Sequence, residues 1–249
     1  GDSKAVAAAF KNAAHVTKLD IVNNRLVPNP MEPRATLGHY DSGEDHYTCW
    51  TTSQNPHVAR LVMSAFYNVA PENKLRVIAP DVGGGFGSKI YIYPEEIVCL
   101  WASKKSGVPV KWVSDRTEAF LTDAHGRDHV THVEMAFDKG NNIVGLKVDT
   151  IANLGAYMSL FSSATPTYLY ATLLSGQYNI PAIHANVRTV YTNTAPVDAY
   201  RGAGRPEATF VMERTMETAA RELGVSPTEL RRQNFVKSFP HQTPVIMCY

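Results

Sequence analysis

Residues 82–89 read Val82-Gly83-Gly84-Gly85-Phe86-Gly87-Ser88-Lys89, with four glycines in five consecutive positions. A backbone with so few Cβ atoms can take positive φ angles and bring main-chain N–H groups close to a ligand. Residues 75–79 before the run predict a strand, and residues 94–105 after it predict a helix. A strand, a glycine loop and a helix in this order favour a loop that binds an anionic cofactor, with a plain tight turn as the alternative.

The glycine run fits none of the common nucleotide-binding patterns. A P-loop needs G-x-x-x-x-G-K-[ST], but Ser88 stands where its second glycine belongs and Ile90 follows the lysine. A dinucleotide fingerprint G-x-G-x-x-G would need a glycine at one of those same two positions. The H-R-D and D-F-G runs of protein kinases are also absent from the sequence. The run therefore suggests a cofactor loop without naming the cofactor.

Composition limits the class of protein. The 249 residues are 44% hydrophobic, which is enough for one large domain or two smaller ones. A net charge of +1 argues against nucleic acid or an anionic membrane as the main partner. The three cysteines are too few and too scattered for a disulfide framework or a C-x-x-C metal site. Neither a membrane span nor a secretory signal is predicted, so we expect a cytoplasmic location. Gly1 in place of methionine indicates a processed chain or an excised piece.

The sequence predicts two parts, residues 1–125 with the glycine loop and residues 126–249 with a second candidate loop. The opening to Pro56 is expected to be rich in loops. Predicted helices cover 56–69, 94–105 and 207–223, and predicted strands cover 75–79, 108–113, 129–137, 143–151 and 187–192. The strands 129–137 and 143–151 should form an antiparallel hairpin, so the expected fold class is α+β with a mixed α/β opening.

Two of these helices also carry a predicted buried face. In the helix 94–105 the buried side is expected to be Ile97, Val98, Leu100 and Trp101. In the helix 207–223 the inner side is expected to be Phe210, Val211, Met216, Ala219 and Ala220. A further helix start is predicted at Ser226, where Ser226-Pro227-Thr228-Glu229 resembles a capping box.

Two stretches besides the glycine run are candidate sites. Gln54 in Thr52-Ser53-Gln54 offers both an amide donor and a carbonyl acceptor, which suits a metal-bound oxygen. On local sequence alone, a glutamine that caps a helix or fixes a loop is the favoured interpretation. The stretch Asp198-Ala199-Tyr200-Arg201-Gly202-Ala203-Gly204-Arg205-Pro206-Glu207 combines small residues with two arginines. Those arginines suit an oxyanion or phosphate, and the alternative is an arginine paired with Asp198 or Glu207.

The histidines do not predict a metal site. His125, His129 and His132 would place their rings together only on a helix, as zinc coordination would need. From His129 onward the residues alternate as in a strand, which puts His129 and His132 on opposite faces. Asp115-Arg116 is similarly interpreted as an ion pair or a helix start, and the sequence has no G-x-S-x-G or H-E-x-x-H motif.

Five motifs in chain order resemble the molybdenum-binding subunit of the xanthine dehydrogenase/aldehyde oxidase family, and most of all bacterial carbon monoxide dehydrogenase-like large subunits. They are Met31-Glu32-Pro33-Arg34-Ala35, Thr52-Ser53-Gln54, Gly83 to Lys89, Ser114-Asp115-Arg116 and Ala199 to Glu207. Two of these motifs are specific to the family, namely G-G-G-F-G-S-K and A-Y-R-G-A-G-R-P-E. The resemblance implies mixed sheets with flanking helices and a molybdenum–molybdopterin cofactor, in bacteria usually as the cytosine dinucleotide. It also implies hydroxylation of a substrate carbon with oxygen from water.

The resemblance assigns roles to residues of this chain. Gln54 matches a glutamine that contacts an oxygen ligand of molybdenum. Gly84, Gly85, Phe86 and Gly87 match a loop whose main-chain N–H groups meet the same centre, and Arg201 and Gly202 match an arginine-bearing loop on its other side. Contacts to the groups around the metal are thus implied for Gln54, Phe86 and Arg201. No direct protein ligand is implied, because the dithiolene sulfurs of the cofactor bind the metal.

Departures from the family pattern narrow the expected substrate. Gly202 stands where carbon monoxide oxidisers carry a copper-binding cysteine, which argues against carbon monoxide. Ala203 and Ile90 replace a phenylalanine and a glutamate of purine oxidisers, which argues against xanthine. No residue after Phe235 resembles the catalytic glutamate of the family, so the catalytic residue of this chain is unknown and a fragment or a split subunit is expected.

The leading hypothesis is the cofactor-binding part of a molybdenum hydroxylase that oxidises an aldehyde or an N-heteroaromatic compound. The resemblance implies iron–sulfur clusters and FAD on partner subunits. The expected partners are an iron–sulfur subunit, an FAD subunit, and the remainder of the molybdenum subunit or a second molybdopterin chain. The isolated chain is expected to be inactive. The alternative is a non-catalytic chain that docks subunits of such a complex and lacks the glutamate.

Overall fold

The computed structural model describes residues 1–249. The elements, numbered along the chain, are α1 (Ser3–Lys11), β1 (His15–Asn23), β2 (Ala35–Asp41), β3 (His46–Thr51), α2 (Pro56–Ala65), β4 (Leu75–Ile78), α3 (Pro94–Ser106), β5 (Val110–Val113), α4 (Arg116–Thr122), β6 (His129–Phe137), β7 (Ile143–Gly155), β8 (Ile183–Tyr191), α5 (Arg205–Leu223) and α6 (Pro227–Asn234). The chain divides into two compact units. Unit 1 comprises Gly1–Leu26 and Gly126–Tyr249, and unit 2 comprises Val27–His125.

Unit 2 is built on a mixed four-stranded sheet in the order β4-β3-β2-β5. The strand β3 runs parallel to β4 and antiparallel to β2, which in turn is antiparallel to β5. The small core of the unit contains Tyr47, Cys49, Met63, Leu75 and Leu100. The stretch Thr52-Ser53-Gln54 directly follows the end of β3, and the segment between β4 and α3 contains the glycine loop.

Helix α3 lies close against β2 at Gly38. A Cβ atom at Gly38 would be 2.6 Å from the backbone of Cys99 and Leu100, so only glycine permits this approach. The approach turns Cys99 and Leu100 toward the sheet, whereas Val98 is 54% and Trp101 61% exposed. The predicted buried face of this helix was therefore wrong for Val98 and Trp101, although the helix itself was predicted correctly.

Unit 1 is built on a second four-stranded sheet in the order β1-β6-β7-β8. The strands β6 and β7 form the predicted antiparallel hairpin, while β8 joins β7 in parallel. The carboxylate of Asp138 in the hairpin turn accepts the N–H groups of Gly140 and Asn142, at 2.8 and 2.9 Å. Asx-type hydrogen bonds of this kind stabilise the turn.

Helix α5 supplies much of the core of unit 1. Its buried residues Val211, Met216, Ala219 and Ala220 belong to the same apolar cluster as Val133, Met135 and Leu146 of the sheet. Phe210 is 39% exposed, so its predicted inward position was wrong. At Ser226 the predicted helix is present as α6, but the Ser226 side chain makes no capping hydrogen bond.

The opening of the chain was predicted to be rich in loops, and this was wrong. It contains α1, β1, β2 and β3. The strand β1 pairs along its whole length with β6, from His15↔Phe137 to Asn23↔His129. This long-range pairing, which local sequence does not reveal, places Gly1–Leu26 with the second half of the chain. The two compact units therefore differ from the two parts expected from the sequence, residues 1–125 and 126–249, in the placement of Gly1–Leu26.

The mixed sheets with flanking helices confirm the expected fold class. The helices of the chain lack the length and apolar character needed to cross a bilayer.

Candidate functional site

Gln54 lies just beyond the end of β3, where hydrogen bonds to β2 fix the backbone. The N–H of Thr52 donates to the carbonyl of Ala35, and the Thr52 hydroxyl accepts the N–H of Ala35, both at 3.0 Å. The Ser53 hydroxyl then accepts the N–H of Asn55 at 3.0 Å, immediately before α2 begins. Gln54 therefore projects from a short segment that is held on both sides.

The Gln54 carboxamide contacts the glycine loop through its oxygen. Oε1 accepts the N–H of Gly87 at 2.9 Å and that of Lys89 at 3.3 Å, while the Gln54 N–H donates to the Lys89 carbonyl at 2.8 Å. Because two N–H donors face Oε1, the orientation of the amide is fixed. The exposed NH₂ group donates to no group of the chain. The residue both fixes the loop and presents a free donor.

The backbone of the glycine loop is unusual at three residues. The φ angles are +93° at Gly84, +53° at Phe86 and +111° at Gly87. A positive φ is rare for a bulky residue such as Phe86, which is 43% exposed. A Cβ atom at Gly85 would be 2.2 Å from Gln54 Oε1. The glycine at 85 is thus required by the close approach of the Gln54 side chain.

An ion pair between a buried lysine and a partly exposed glutamate holds the two ends of the loop. The Lys89 side chain is fully buried, and its Nζ donates to Glu32 Oε2 at 2.8 Å. The same carboxylate oxygen accepts the N–H of Gly83 at 2.8 Å. Partial burial acts to raise the pKa of Glu32, but the hydrogen bonds from Lys89 and Gly83 outweigh it and hold the pKa below its usual value.

The segment after the loop is fixed by Tyr93. Its phenol donates to the Ser88 carbonyl at 2.6 Å and accepts the N–H of Ala124 at 3.1 Å. Burial raises the pKa of Tyr93, so the hydroxyl stays protonated and available as a donor. The Arg34 guanidinium stacks 3.6 Å from the centre of the same ring and pairs with Asp123.

The arginine loop lies in unit 1, just before α5. The Arg127 guanidinium donates to the carbonyls of Tyr200 and Arg201, at 3.0 and 2.8 Å. It also pairs with the buried Glu207 carboxylate at 3.0 Å, within the first turn of α5. A Cβ atom at Gly126 would be 2.2 Å from the Cβ of Tyr200, so the Gly126–Arg127 segment packs directly beneath the loop.

The backbone after Arg201 is as constrained as the glycine loop. The φ angles are +98° at Gly202, +40° at Ala203 and +92° at Gly204. A side chain at Gly204 would meet the backbone of Leu169 and Tyr170 at 2.6–2.7 Å. The interpretation in which Glu207 pairs with an arginine of its own loop was wrong, because Arg127 is the partner of Glu207. Arg201 itself is exposed.

The histidines lie in separate surroundings, and the predicted opposite faces of His129 and His132 are confirmed. His129 is buried against Tyr170, with ring centres 5.2 Å apart, and burial lowers its pKa to about 4. His132 pairs with Asp20 at 2.8 Å and is only partly buried. The Nε2 atom of His125 lies 3.3 Å from the Phe120 carbonyl. Asp115 caps α4 by accepting the N–H of Glu118 at 2.7 Å, so of the two predicted alternatives, an ion pair or a helix start, the helix start is confirmed.

The structure brings Gln54 together with the loop residues Gly84, Gly85, Phe86 and Gly87 in unit 2. Arg201 and Gly202 share a loop in unit 1. Three supporting residues were not predicted as site residues, namely Glu32, Lys89 and Arg127. The position of Lys89 directly after the glycine run was the available signal, but its partner Glu32 and the partners of Arg127 are distant in sequence.

The family profile described as the molybdopterin cofactor-binding domain matches residues 1–235. The carbon monoxide dehydrogenase large chain of Hydrogenophaga pseudoflava is 38% identical over 98% of this chain and 31% of that protein. The nicotine 6-hydroxylase large subunit of Paenarthrobacter nicotinovorans is 35% identical over 97% of this chain and 30% of that protein. The chain thus spans about a third of the length of these relatives.

Solved structures agree with the sequence relatives. The carbon monoxide dehydrogenase of Oligotropha carboxidovorans superposes with a TM-score of 0.93 at 35% identity, covering 100% of this chain and 31% of that chain. The quinoline 2-oxidoreductase of Pseudomonas putida 86 also gives a TM-score of 0.93, at 32% identity over 98% of this chain and 31% of that chain. The family and fold predicted from the motifs are confirmed, and this chain belongs to the molybdopterin cofactor-binding domain family of the molybdenum hydroxylases.

Proposed function

We propose that the chain holds a molybdenum cofactor through Gln54 and Gly84–Gly87 in unit 2, and through Arg201 and Gly202 in unit 1. The fixed Gln54 carboxamide supports this proposal most directly. Its oxygen is occupied by two N–H groups, at 2.9 and 3.3 Å, so its NH₂ group is oriented as a donor. Oxygen ligands of a metal are acceptors, and an oriented amide donor suits them.

The residues present fit such a group. Gly85 leaves no side chain between the loop backbone and Gln54, and the positive φ angles of Gly84 and Gly87 turn the main chain around Phe86. Backbone donors in this conformation form concave sites for anionic oxygen. A metal held by the cofactor's own sulfurs needs no ligand from the protein chain.

When bound, the cofactor would supply two-electron oxidation and the transfer of water-derived oxygen to a substrate carbon. The part of this chain is to orient the cofactor. Gln54 would donate a hydrogen bond, the backbone at Gly85 and Phe86 would face the cofactor's oxygen groups, and Arg201 would add positive charge. The catalytic base of the reaction is proposed to reside outside these 249 residues.

We further propose an N-heteroaromatic compound or an aldehyde as the substrate of the whole protein. Two similar proteins are named for nicotine and quinoline, both N-heteroaromatic compounds. Gly202, in place of the copper-binding cysteine expected of carbon monoxide oxidisers, argues against carbon monoxide. We also propose that the cofactor is in the cytosine dinucleotide form. The whole protein would work in the cytoplasm with iron–sulfur and FAD partner subunits. Several relatives are named as large subunits or as members of a complex.

Metal and cofactor analysis of the full-length protein with its native partners tests the proposal. We expect about one molybdenum per polypeptide, and a pterin released on denaturation that mass spectrometry identifies with its nucleotide. Absence of both would refute the cofactor assignment. Turnover with a panel of N-heteroaromatic compounds, aldehydes and carbon monoxide would then identify the substrate class.

The second candidate, a non-catalytic docking chain, is separated by substitutions in the same complex. Under the enzyme proposal, Gln54→Ala and Arg201→Ala lower turnover while the complex still assembles. Gln177→Ala is a matched control, because Gln177 is an exposed glutamine that hydrogen-bonds Glu213. Unchanged turnover in Gln54→Ala and Arg201→Ala would favour the docking role.

A further inference from the structure

The Lys89 ammonium is a buried charge that the proposed function does not use. The side chain has no exposed surface, and its partner is the Glu32 carboxylate at 2.8 Å. A buried ammonium requires a counter-charge, because removing the partner leaves the charge uncompensated in a poorly solvated place. The pair is therefore strongly constrained in geometry.

Glu32 holds the first glycine of the loop as well as the lysine. The oxygen that receives Lys89 also accepts the N–H of Gly83 at 2.8 Å, and the Glu32 N–H donates to the Gly83 carbonyl at 3.2 Å. A Cβ atom at Gly83 would be 2.5 Å from the Glu32 Cβ, so the two backbones are in close contact. One carboxylate thus joins the entrance of the loop to its last residue.

The main chain of Lys89 holds Gln54. Its N–H donates to Gln54 Oε1 at 3.3 Å, and its carbonyl accepts the Gln54 N–H at 2.8 Å. Lys89 therefore contacts Glu32 with its side chain and Gln54 with its backbone. A displacement of the ammonium would move the backbone that orients the Gln54 amide.

We propose that Glu32 and Lys89 are positioning residues, whose ion pair fixes the span of residues 83–89 and thereby the direction of the Gln54 NH₂ group. The inference rests on the proposed role of Gln54 toward the cofactor. The effect of the ion pair on the hydrogen bonds of the loop can be tested whether or not Gln54 contacts a cofactor, because amide exchange reports on those hydrogen bonds directly.

The first experiment measures amide hydrogen exchange of peptides covering residues 83–90 in the full-length protein with its partners. Glu32→Gln keeps an acceptor for Gly83 but removes the charge, and Lys89→Met removes the ammonium. We expect exchange of this segment to rise by roughly tenfold or more in both variants. Glu72→Gln is the matched control, since Glu72 pairs with Arg60 at the surface of the same unit and does not contact the loop.

The double variant Glu32→Gln/Lys89→Met separates positioning from stability. It removes both charges, so the unpaired ammonium of the single variant is gone, and we expect thermal stability to recover relative to Glu32→Gln. Exchange of residues 83–90 should nevertheless stay fast, because the connection between Gly83 and Lys89 is lost. Wild-type exchange rates in the double variant or in both single variants would overturn the proposal.

The second readout is the Mo(V) electron paramagnetic resonance signal after partial reduction with dithionite, which needs no substrate. Glu32→Gln and Lys89→Met should shift the signal in the same direction as Gln54→Ala, while Glu72→Gln leaves it unchanged. A wild-type signal together with fast loop exchange would show a purely structural pair and overturn the proposal. A wild-type protein without molybdenum would refute the proposed function instead, and the exchange data would still decide whether the pair holds Gln54.

Discussion

Gly85 shows how one missing side chain makes room for a functional contact. A Cβ atom there would lie 2.2 Å from Gln54 Oε1 and 2.6 Å from its Cδ, far inside van der Waals contact. No rotation of the new methyl group relieves this clash, because the Cβ position is fixed by the backbone. The Gln54 side chain would have to leave its place between Gly87 and Lys89.

We therefore predict that Gly85→Ala displaces the Gln54 amide. The expected result is a loss of cofactor content or turnover of at least tenfold, with a destabilisation of about 1–3 kcal/mol from overpacking. Molybdenum content and the denaturation midpoint of the full-length protein measure the two effects.

Gly107→Ala is the control for that substitution. Gly107 ends α3 with a φ of +73°, and its added Cβ would meet nothing within 4 Å. It should cost about 1 kcal/mol through backbone strain and leave cofactor content unchanged. Equal cofactor loss in the two variants would show that general destabilisation, and not displacement of Gln54, is responsible.

At this scale the sequence predicted the residues whose chemistry is visible locally. Gln54 and the glycines were recognisable from spacing and motif, and the structure places them in contact. Glu32 and Lys89 were parts of recognised motifs, yet their pairing was not predicted. An ion pair between residues 57 positions apart depends on the tertiary fold, and no local rule gives it.

Among the elements, α5 depends on a residue outside its own sequence neighbourhood. Arg127 holds the buried Glu207 of the first turn together with the carbonyls of Tyr200 and Arg201. The second oxygen of Glu207 is buried without a hydrogen-bond partner, so Arg127 provides the main compensation for this charge.

We predict that Arg127→Met destabilises the protein by about 3–5 kcal/mol, since it leaves a buried carboxylate unpaired. The double variant Arg127→Met/Glu207→Gln should recover a large part of this loss. Chemical denaturation measures both. Arg221→Met, on the same helix but in an exposed pair with Glu217, should cost only about 0.3–0.5 kcal/mol. A loss in Arg127→Met as small as that of Arg221→Met would contradict the proposed anchoring of α5.

Helix positions were predictable from caps and breakers, whereas buried faces were not. Pro94 at the start and Gly107 at the end bound α3 as predicted. Its buried side is instead set by the contact with Gly38 on β2, which turns Trp101 outward. The helix carries apolar side chains on several of its own faces, so periodicity alone does not identify the face that packs on the sheet.

For the whole molecule, a buried glutamate in unit 2 and a buried histidine in unit 1 make contributions to stability that change in opposite directions as the pH falls. In unit 2, burial raises the pKa of Glu96 from 4.5 to about 7, so its contribution to stability grows as pH falls from 7 toward 4.5. In unit 1, burial lowers the pKa of His129 from 6.5 to about 4, so its contribution is lost as pH falls from 6.5 toward 4.

We predict that acidification from pH 7 to pH 5 changes the two contributions by on the order of 2 kcal/mol each, with opposite signs. In a global unfolding measurement the two contributions would largely cancel. Hydrogen exchange read separately for each unit resolves them, when wild type is compared with Glu96→Gln for unit 2 and with His129→Asn for unit 1. Each variant should lack the pH response of its unit, and a response identical to wild type would contradict the assignment.

The fold class and family were predictable because specific motifs occur in register along nearly the whole chain. The arrangement of the opening was not, since β1 finds its partner β6 only in three dimensions. Short strands such as β2 and β3 also contain glycine, histidine and cysteine, so their propensity signal is weak.

The pairing of β1 with β6 has a consequence for how the protein emerges from the ribosome. Residues 27–125 are synthesised between the two strands and form a compact unit of their own. At about 5–20 residues per second, the roughly 100 intervening residues delay the arrival of β6 by on the order of 5–20 s. The inserted unit can therefore mature first, while β1 waits as an unpaired strand that a chaperone would need to shield until its neighbour is translated.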